Sequence, residues 1–143
     1  MSNQSVIESI RDFVSGCPYL GEYTSLLVDR LEGEVSSYSI EPVPCTPIVK
    51  QYVNGTSIRR YEFHFASTEA YTAEVLDQIS NSEFYEHFAT WLERRSRAKQ
   101  LPDMGDGKVP MKIEALTPGY ITSADETTAR YVIQCRLTYM QAD

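Results

Sequence analysis

Apolar residues at Val6, Ile7, Ile10, Phe13 and Val14 recur at the i, i+3, i+4, i+7 spacing that gathers them on one helix face. Ser5 and Glu8 stand at capping-box spacing before them, and Gly16 is a stop residue after them. The pattern predicts a helix from Val6 to Ser15, followed by a turn at Cys17-Pro18-Tyr19-Leu20-Gly21. Leu26 to Leu31 is short and apolar, compatible with strand or helix, and Gly33 after it fits a strand entering a hairpin. Ser37 to Val43 reads as a strand with Tyr38 and Ile40 on one face. Pro42, Pro44 and Pro47 exclude a central strand there and make IEPVPCTP a stiff extended connector.

Asn54-Gly55 between Ile48–Val53 and Ser57–Phe65 predicts a hairpin, since both residues accept positive φ. In its second arm Tyr61, Phe63 and Phe65 alternate with Arg60, Glu62 and His64, so period two sends the aromatics inward. Ser67 or Thr68 is placed to cap a helix opened by Glu69, with Val75, Leu76 and Ile79 as its apolar face. Ser80-Asn81-Ser82 predicts a break. A second helix then carries Phe84, Phe88, Trp91 and Leu92, and ends in Arg94, Arg95, Arg97 and Lys99, where cations complement the dipole. After the loop 102–107, strands are expected at Met111–Leu116 and Tyr120–Thr122, with a bend at Pro118-Gly119 and a turn at Ser123–Glu126. In the last strand Ala129, Tyr131, Ile133, Cys135, Leu137 and Tyr139 alternate with polar residues, which fixes its register. Strands grouped between helices predict one α+β domain over residues 1–143: a mostly antiparallel sheet with helices on one face.

Composition removes several classes of function. The chain has 143 residues and a net charge of −7, which disfavours sequence-independent binding to nucleic acid. No apolar run is long enough to span a bilayer. The N-terminal segment has neither the basic start nor the apolar core of a signal peptide, so the sequence predicts a protein made in the cytoplasm with reduced thiols. Cys17, Cys45 and Cys135 are odd in number and widely spaced, which fits neither a disulfide framework nor a zinc site.

Catalytic signals are sparse. No P-loop, GxGxxG or GxSxG pattern occurs. Glu62 and His64 share a strand face, and with Cys45 they define the one thiol-hydrolase arrangement the sequence permits. The plainer reading of those residues is a solvated or interface-facing polar strand face, and His87 reads as a surface histidine. No cofactor or metal is expected. Seven acids (Glu8, Asp12, Glu22, Asp29, Glu32, Glu34 and Glu41) against two arginines before Thr46 put five of the seven net negative charges in the first third. Ten tyrosines are many for this length, and tyrosine is enriched at protein–protein interfaces.

The runs SYSIEPVPCTPIVKQY (37–52), SIRRYEFHFASTEAY (57–71), NSEFYEHFATWLE (81–93), KIEALTPGYI (112–121) and TARYVIQCRLTY (128–139) together resemble minor structural proteins of long-tailed phages and prophages of Gram-positive bacteria. These are often labelled minor capsid or minor tail proteins, and in size and layout they resemble tail terminator (tail completion) proteins. The resemblance implies a non-enzymatic virion component that forms a ring, typically a hexamer, on the end of the tail tube. Its partners would be further copies of itself, the major tail (tube) protein and a head-completion or connector protein. It would reside at the head–tail junction, and in the host cytoplasm before assembly. A connector adaptor on the capsid side is the alternative. DNA would pass through such a ring without being bound specifically, and the N-terminal acids would suit its lumen. The contacts are expected on the hairpin (Lys50, Tyr52, Asn54, Arg59, Arg60) and the proline connector (Pro42, Pro44, Pro47).

Overall fold

The computed structural model describes residues 5–18, 26–28, 37–70, 75–124 and 128–142. Helix α1 spans Val6–Val14 and opens on the expected capping box. The Glu8 N–H donates to Ser5 Oγ and the Ser5 N–H to Glu8 Oε1, each at 3.3 Å. Such a cap contributes about 1 kcal/mol. Seven strands follow around one long helix: β1 (Leu26–Val28), β2 (Ser37–Val43), β3 (Ile48–Gln51), β4 (Ser57–Ala70), α2 (Val75–Arg97), β5 (Lys108–Ala115), β6 (Tyr120–Ala124) and β7 (Thr128–Gln141). The architecture is α+β, as the grouping of elements predicts.

The sheet is built on two 14-residue strands, β4 and β7. They pair antiparallel over their whole length, from Ser57↔Gln141 to Ala70↔Thr128. Each of these two strands has as its other neighbour a line of two shorter strands, and β1 lies outside β2. On one side β2 and then β3 run along β4, interrupted at residues 44–47. On the other, β5 and then β6 run along β7, interrupted at 116–119. Proline lies in each break. A bulge falls within each outer pairing as well, between Ile48 and Lys50, between Pro110 and Lys112, and between Ile121 and Ser123. Prolines and bulges both make an edge a poor template for adding another strand.

Three expectations change. The chain at 26–28 pairs parallel to β2, Leu26↔Tyr38 to Val28↔Ile40, so it does not enter a hairpin with that strand; Leu31 and Gly33 lie outside the described residues. Ser67 and Thr68 do not cap a helix: β4 continues through them, because β7 offers an unbroken partner up to Thr128. Nor is the helix broken at Ser80-Asn81-Ser82, since α2 is continuous over 23 residues. Ser and Asn cost only a few tenths of a kcal/mol each in a helix, less than the burial of Phe88 and Leu92 returns. The stripe Val75, Leu76 and Ile79 lies outside the described side chains, and Glu126 outside the described residues.

Both helices cover one face of the sheet, and their buried side chains form a single core with it. Phe65 of β4 stacks on Phe88 of α2 with centroids 4.4 Å apart, and Tyr38 stacks on Phe65 at 5.4 Å. Phe13 of α1 meets Trp91 of α2 at 5.0 Å, and the Arg95 guanidinium lies over both rings, at 5.1 and 5.5 Å. Arg95 is therefore a packing residue between the helices. Tyr85 is buried and its hydroxyl is bonded to Ser67 Oγ and to the Tyr131 carbonyl, which ties α2 to β4 and β7. A Cβ at Gly119 would stand 2.5 Å from Tyr85 Cβ, so glycine is what allows the β5–β6 break to lie against α2. Beyond α2, Lys99 takes the left-handed conformation (φ 60°) of a Schellman cap, with Gln100 N–H bonded to Arg95 O at 2.9 Å.

Candidate functional site

The sheet face away from the helices carries the polar half of the β4 and β7 alternation. Arg136 bonds Glu114 at 3.2 Å and lies 3.9 Å from Glu62, while Lys112 pairs with Glu114 at 3.2 Å. Gln134 Nε2 donates to Glu62 at 3.2 Å. Arg130 pairs with Glu41, which also accepts from Ser39 Oγ at 2.8 Å. Register shows what the Arg130–Glu41 pair crosses. Glu41 is level with His64, and Arg130 with Thr68, so their joined side chains pass over Ala66 of β4. Ala66 is accordingly buried despite lying on the open face. These pairs set three cations against three carboxylates, and Arg60 on the same face is held to the Thr46 carbonyl.

His64 sits within this network. Burial pushes its pKa below the ordinary 6.5; Glu41 opposes that shift and Arg130 adds to it. Cys45 does not share the site. Its thiol contacts the Arg60 carbonyl at 3.9 Å, four residues along β4 from His64, about 13 Å at strand rise. The geometry therefore does not assemble Cys45, His64 and Glu62 into a thiol centre. Cys17 and Cys135 are buried, and burial pushes the Cys135 thiol far up. Among the described residues no cluster of His, Cys, Asp and Glu suits a metal ion. No helix among them is long and apolar enough to cross a membrane.

The expected contact residues fall into two groups. Lys50, Tyr52, Asn54 and Arg59 belong to the hairpin. Tyr52 N–H donates to Thr56 O at 2.8 Å and Gly55 N–H to Tyr52 O at 3.0 Å, while Asn54 Oδ1 accepts from Thr56 N–H at 3.0 Å. Only Gly55 takes positive φ, at 94°. The connection is thus a three-residue turn ending in glycine, where the Asn-Gly pair had suggested two residues with positive φ. Lys50 Nζ lies 5.1 Å from the Tyr52 ring centroid, and Arg59 Nε donates to Ser57 Oγ at 2.9 Å. The second group is a clasp. Arg60 donates from its backbone to Pro47 O at 2.9 Å and from Nε to Thr46 O at 2.8 Å. These bonds hold the Pro44–Pro47 link against β4. Pro42 lies inside β2, opposite Phe63 and past the last residue that β1 pairs, so among the described residues β4 is its one pairing strand.

Exposed apolar residues show a surface that the sequence reading missed. Among the described side chains the large exposed ones fall in two places. Ile48, Val49, Tyr52 and Val53 lie on β3 and the hairpin turn, with Val53 wholly exposed. Val109, Met111, Leu116, Tyr120 and Ile121 lie along the β5–β6 edge, at the opposite side of the sheet. Beside that second edge runs an open groove against α2. One part, about 500 Å³, is lined by Ala89, Glu93, Arg97, Met111, Glu114 and Ala115 among others. The next part, about 620 Å³, is lined by Tyr85, Glu86, Ala89, Ala115, Leu116 and Gly119 among others. Ala89 and Ala115 line both, so the groove is continuous. A signal existed in the sequence: Tyr120 and Ile121 are adjacent large apolar residues in a strand, and one of two neighbours always faces away from the core.

Of the seven acids expected to line a lumen, three are described, and Glu41 lies apart from the other two. Glu8 is used in the α1 cap and Asp12 lies on the same helix, whereas Glu41 is paired on the opposite face of the sheet. Glu22, Asp29, Glu32 and Glu34 lie outside the described residues. No protein-family model matches the chain, and no curated protein matches it.

Proposed function

We propose that this protein is a non-enzymatic structural component of a phage virion, a tail terminator that assembles as a ring on the end of the tail tube and meets the head connector there. The observation that carries the assembly half of this reading is that the large exposed apolar side chains among the described residues fall on two different edges of one sheet. Contiguous exposed apolar surface marks protein contacts. Two unlike patches on one chain suit heterologous contacts, which generate rings. The virion half rests on the resemblance of the five sequence runs to phage minor structural proteins. The sparse catalytic signal, with Cys45 and His64 held apart along β4, agrees with a role in contact rather than turnover.

The test is electron microscopy of the purified protein mixed with isolated tail tubes. Ring-shaped density at one end of each tube is the expected result. Tubes with bare ends, or decorated along their length, would refute the terminator assignment.

A further inference from the structure

We infer that successive copies of this chain join head to tail, the hairpin turn of one copy seating in the groove between α2 and the β5–β6 edge of the next. The inference deepens the assembly reading above and rests on it for the identity of the partner, a second copy.

The hairpin is apolar at its turn and cationic beside it, and the part of that groove beside Leu116 is lined largely by apolar residues, with Glu86 as the one charged group among its described residues. The turn, residues 52–56, extends past the ends of the flanking strands, since Ser57 is already level with Gln141 and Lys108. It leads with Tyr52 and the wholly exposed Val53. Between Ile48 and Arg60 there are three cations, Lys50, Arg59 and Arg60, and no acid, in a chain of net charge −7. Lys50 and Arg59 have no carboxylate partner among the described residues. The Leu116 part of the groove offers that residue for apolar contact and Glu86 as a carboxylate, whereas the part beside Met111 carries Arg97, Lys99 and Lys112 against Glu93 and Glu114, so the cationic hairpin seats at the Leu116 end. Glu86 has no ion-pair partner among the described residues, whereas Glu93 and Glu114 are already paired with Arg97 and Lys112.

Two other modes of self-association are disfavoured. A symmetric hairpin-to-hairpin contact would bring three cations against three, and like charges across an interface are strongly unfavourable. Extension of the sheet across two copies would need a continuous free edge; the β5–β6 edge is interrupted by a proline-containing break and two bulges, and β3 is a four-residue edge strand with a bulge. Seating the turn in a groove requires neither.

Cross-linking tests the contact directly. In a Cys45→Ser background, one preparation carries Val53→Cys and a second carries Leu116→Cys; they are mixed and oxidised at the highest concentration the protein tolerates. A disulfide-linked heterodimer is expected from the mixture and none from Val53→Cys alone. Lys50→Glu should lower the linked fraction about tenfold, and Glu86→Lys in the partner preparation should restore it. Dimers from Val53→Cys alone, no product from the mixture, or no rescue by the charge exchange would overturn the inference. The outcome is separable from the virion assignment: cross-linking without tube-end density sinks only the terminator reading, and tube-end density without cross-linking sinks only this contact.

Discussion

His64 shows how one side chain of the polar sheet face carries a pH dependence of stability. It is half-buried beside Glu41 and Arg130, and burial favours its neutral form in the folded protein. Its folded pKa therefore lies below the ordinary 6.5 of the unfolded chain. Above 6.5 both states hold neutral imidazole and the residue imposes no penalty. As pH falls below that value the unfolded chain takes up the proton first, so stability is lost through the interval between the two pKa values. His64→Gln removes the titration and keeps a polar side chain. Urea titrations of both proteins across that interval should give a shallower loss of stability for His64→Gln, and parallel slopes would show that His64 is not linked to folding.

At the scale of elements, the two arginines of the hairpin arm separate. Arg60 holds the Thr46–Pro47 link through its backbone and its guanidinium, whereas Arg59 bonds Ser57 within its own strand. Arg60→Glu should lower stability by about 1–2 kcal/mol, the loss of a charge-assisted hydrogen bond. Arg59→Glu should leave stability within about 0.5 kcal/mol, as surface substitutions do, and should weaken self-association. Denaturant midpoints and sedimentation velocity read the two effects; equal destabilisation by both would remove the distinction. The same region shows what sequence can and cannot disclose. Alternation in β4 and β7 and the Asn-Gly signal located the hairpin and the core face, because those signals are local. The length of β4 was not legible: Ser67 and Thr68 suit a helix cap as well as a strand, and what decides between them is β7, some sixty residues away in the chain. The parallel β1–β2 pairing and the shared edges of β2/β3 and β5/β6 are likewise facts about partners. The hairpin half of the candidate surface was legible for the same local reason, whereas the groove half exists only once α2 lies against β5, with Gly119 closing on Tyr85.

For the whole molecule, a head-to-tail contact makes every copy both donor and acceptor, and this fixes how defective copies behave in mixtures. A copy with Val53→Asp has no competent hairpin but keeps its groove. It accepts a neighbour and then leaves the next groove empty, so a ring containing it cannot close. A copy with Leu116→Asp fails in the complementary way. Each single variant should therefore be dominant, suppressing closed oligomers when mixed with the unaltered chain, and the suppression should grow steeply with variant fraction because one defective copy spoils a whole ring. The two single variants mixed together should stop at a dimer, since one intact hairpin meets one intact groove and nothing remains to extend it. A chain carrying both substitutions is recruited by neither route and should be inert in the same mixtures. Both positions are exposed on the free chain, so all three variants should melt with the unaltered protein. Native mass spectrometry of the assembled protein distinguishes the cases. A double variant that suppresses assembly as strongly as the singles would mean that copies meet through some other surface, and recessive single variants would mean that the hairpin and groove are not needed for closure.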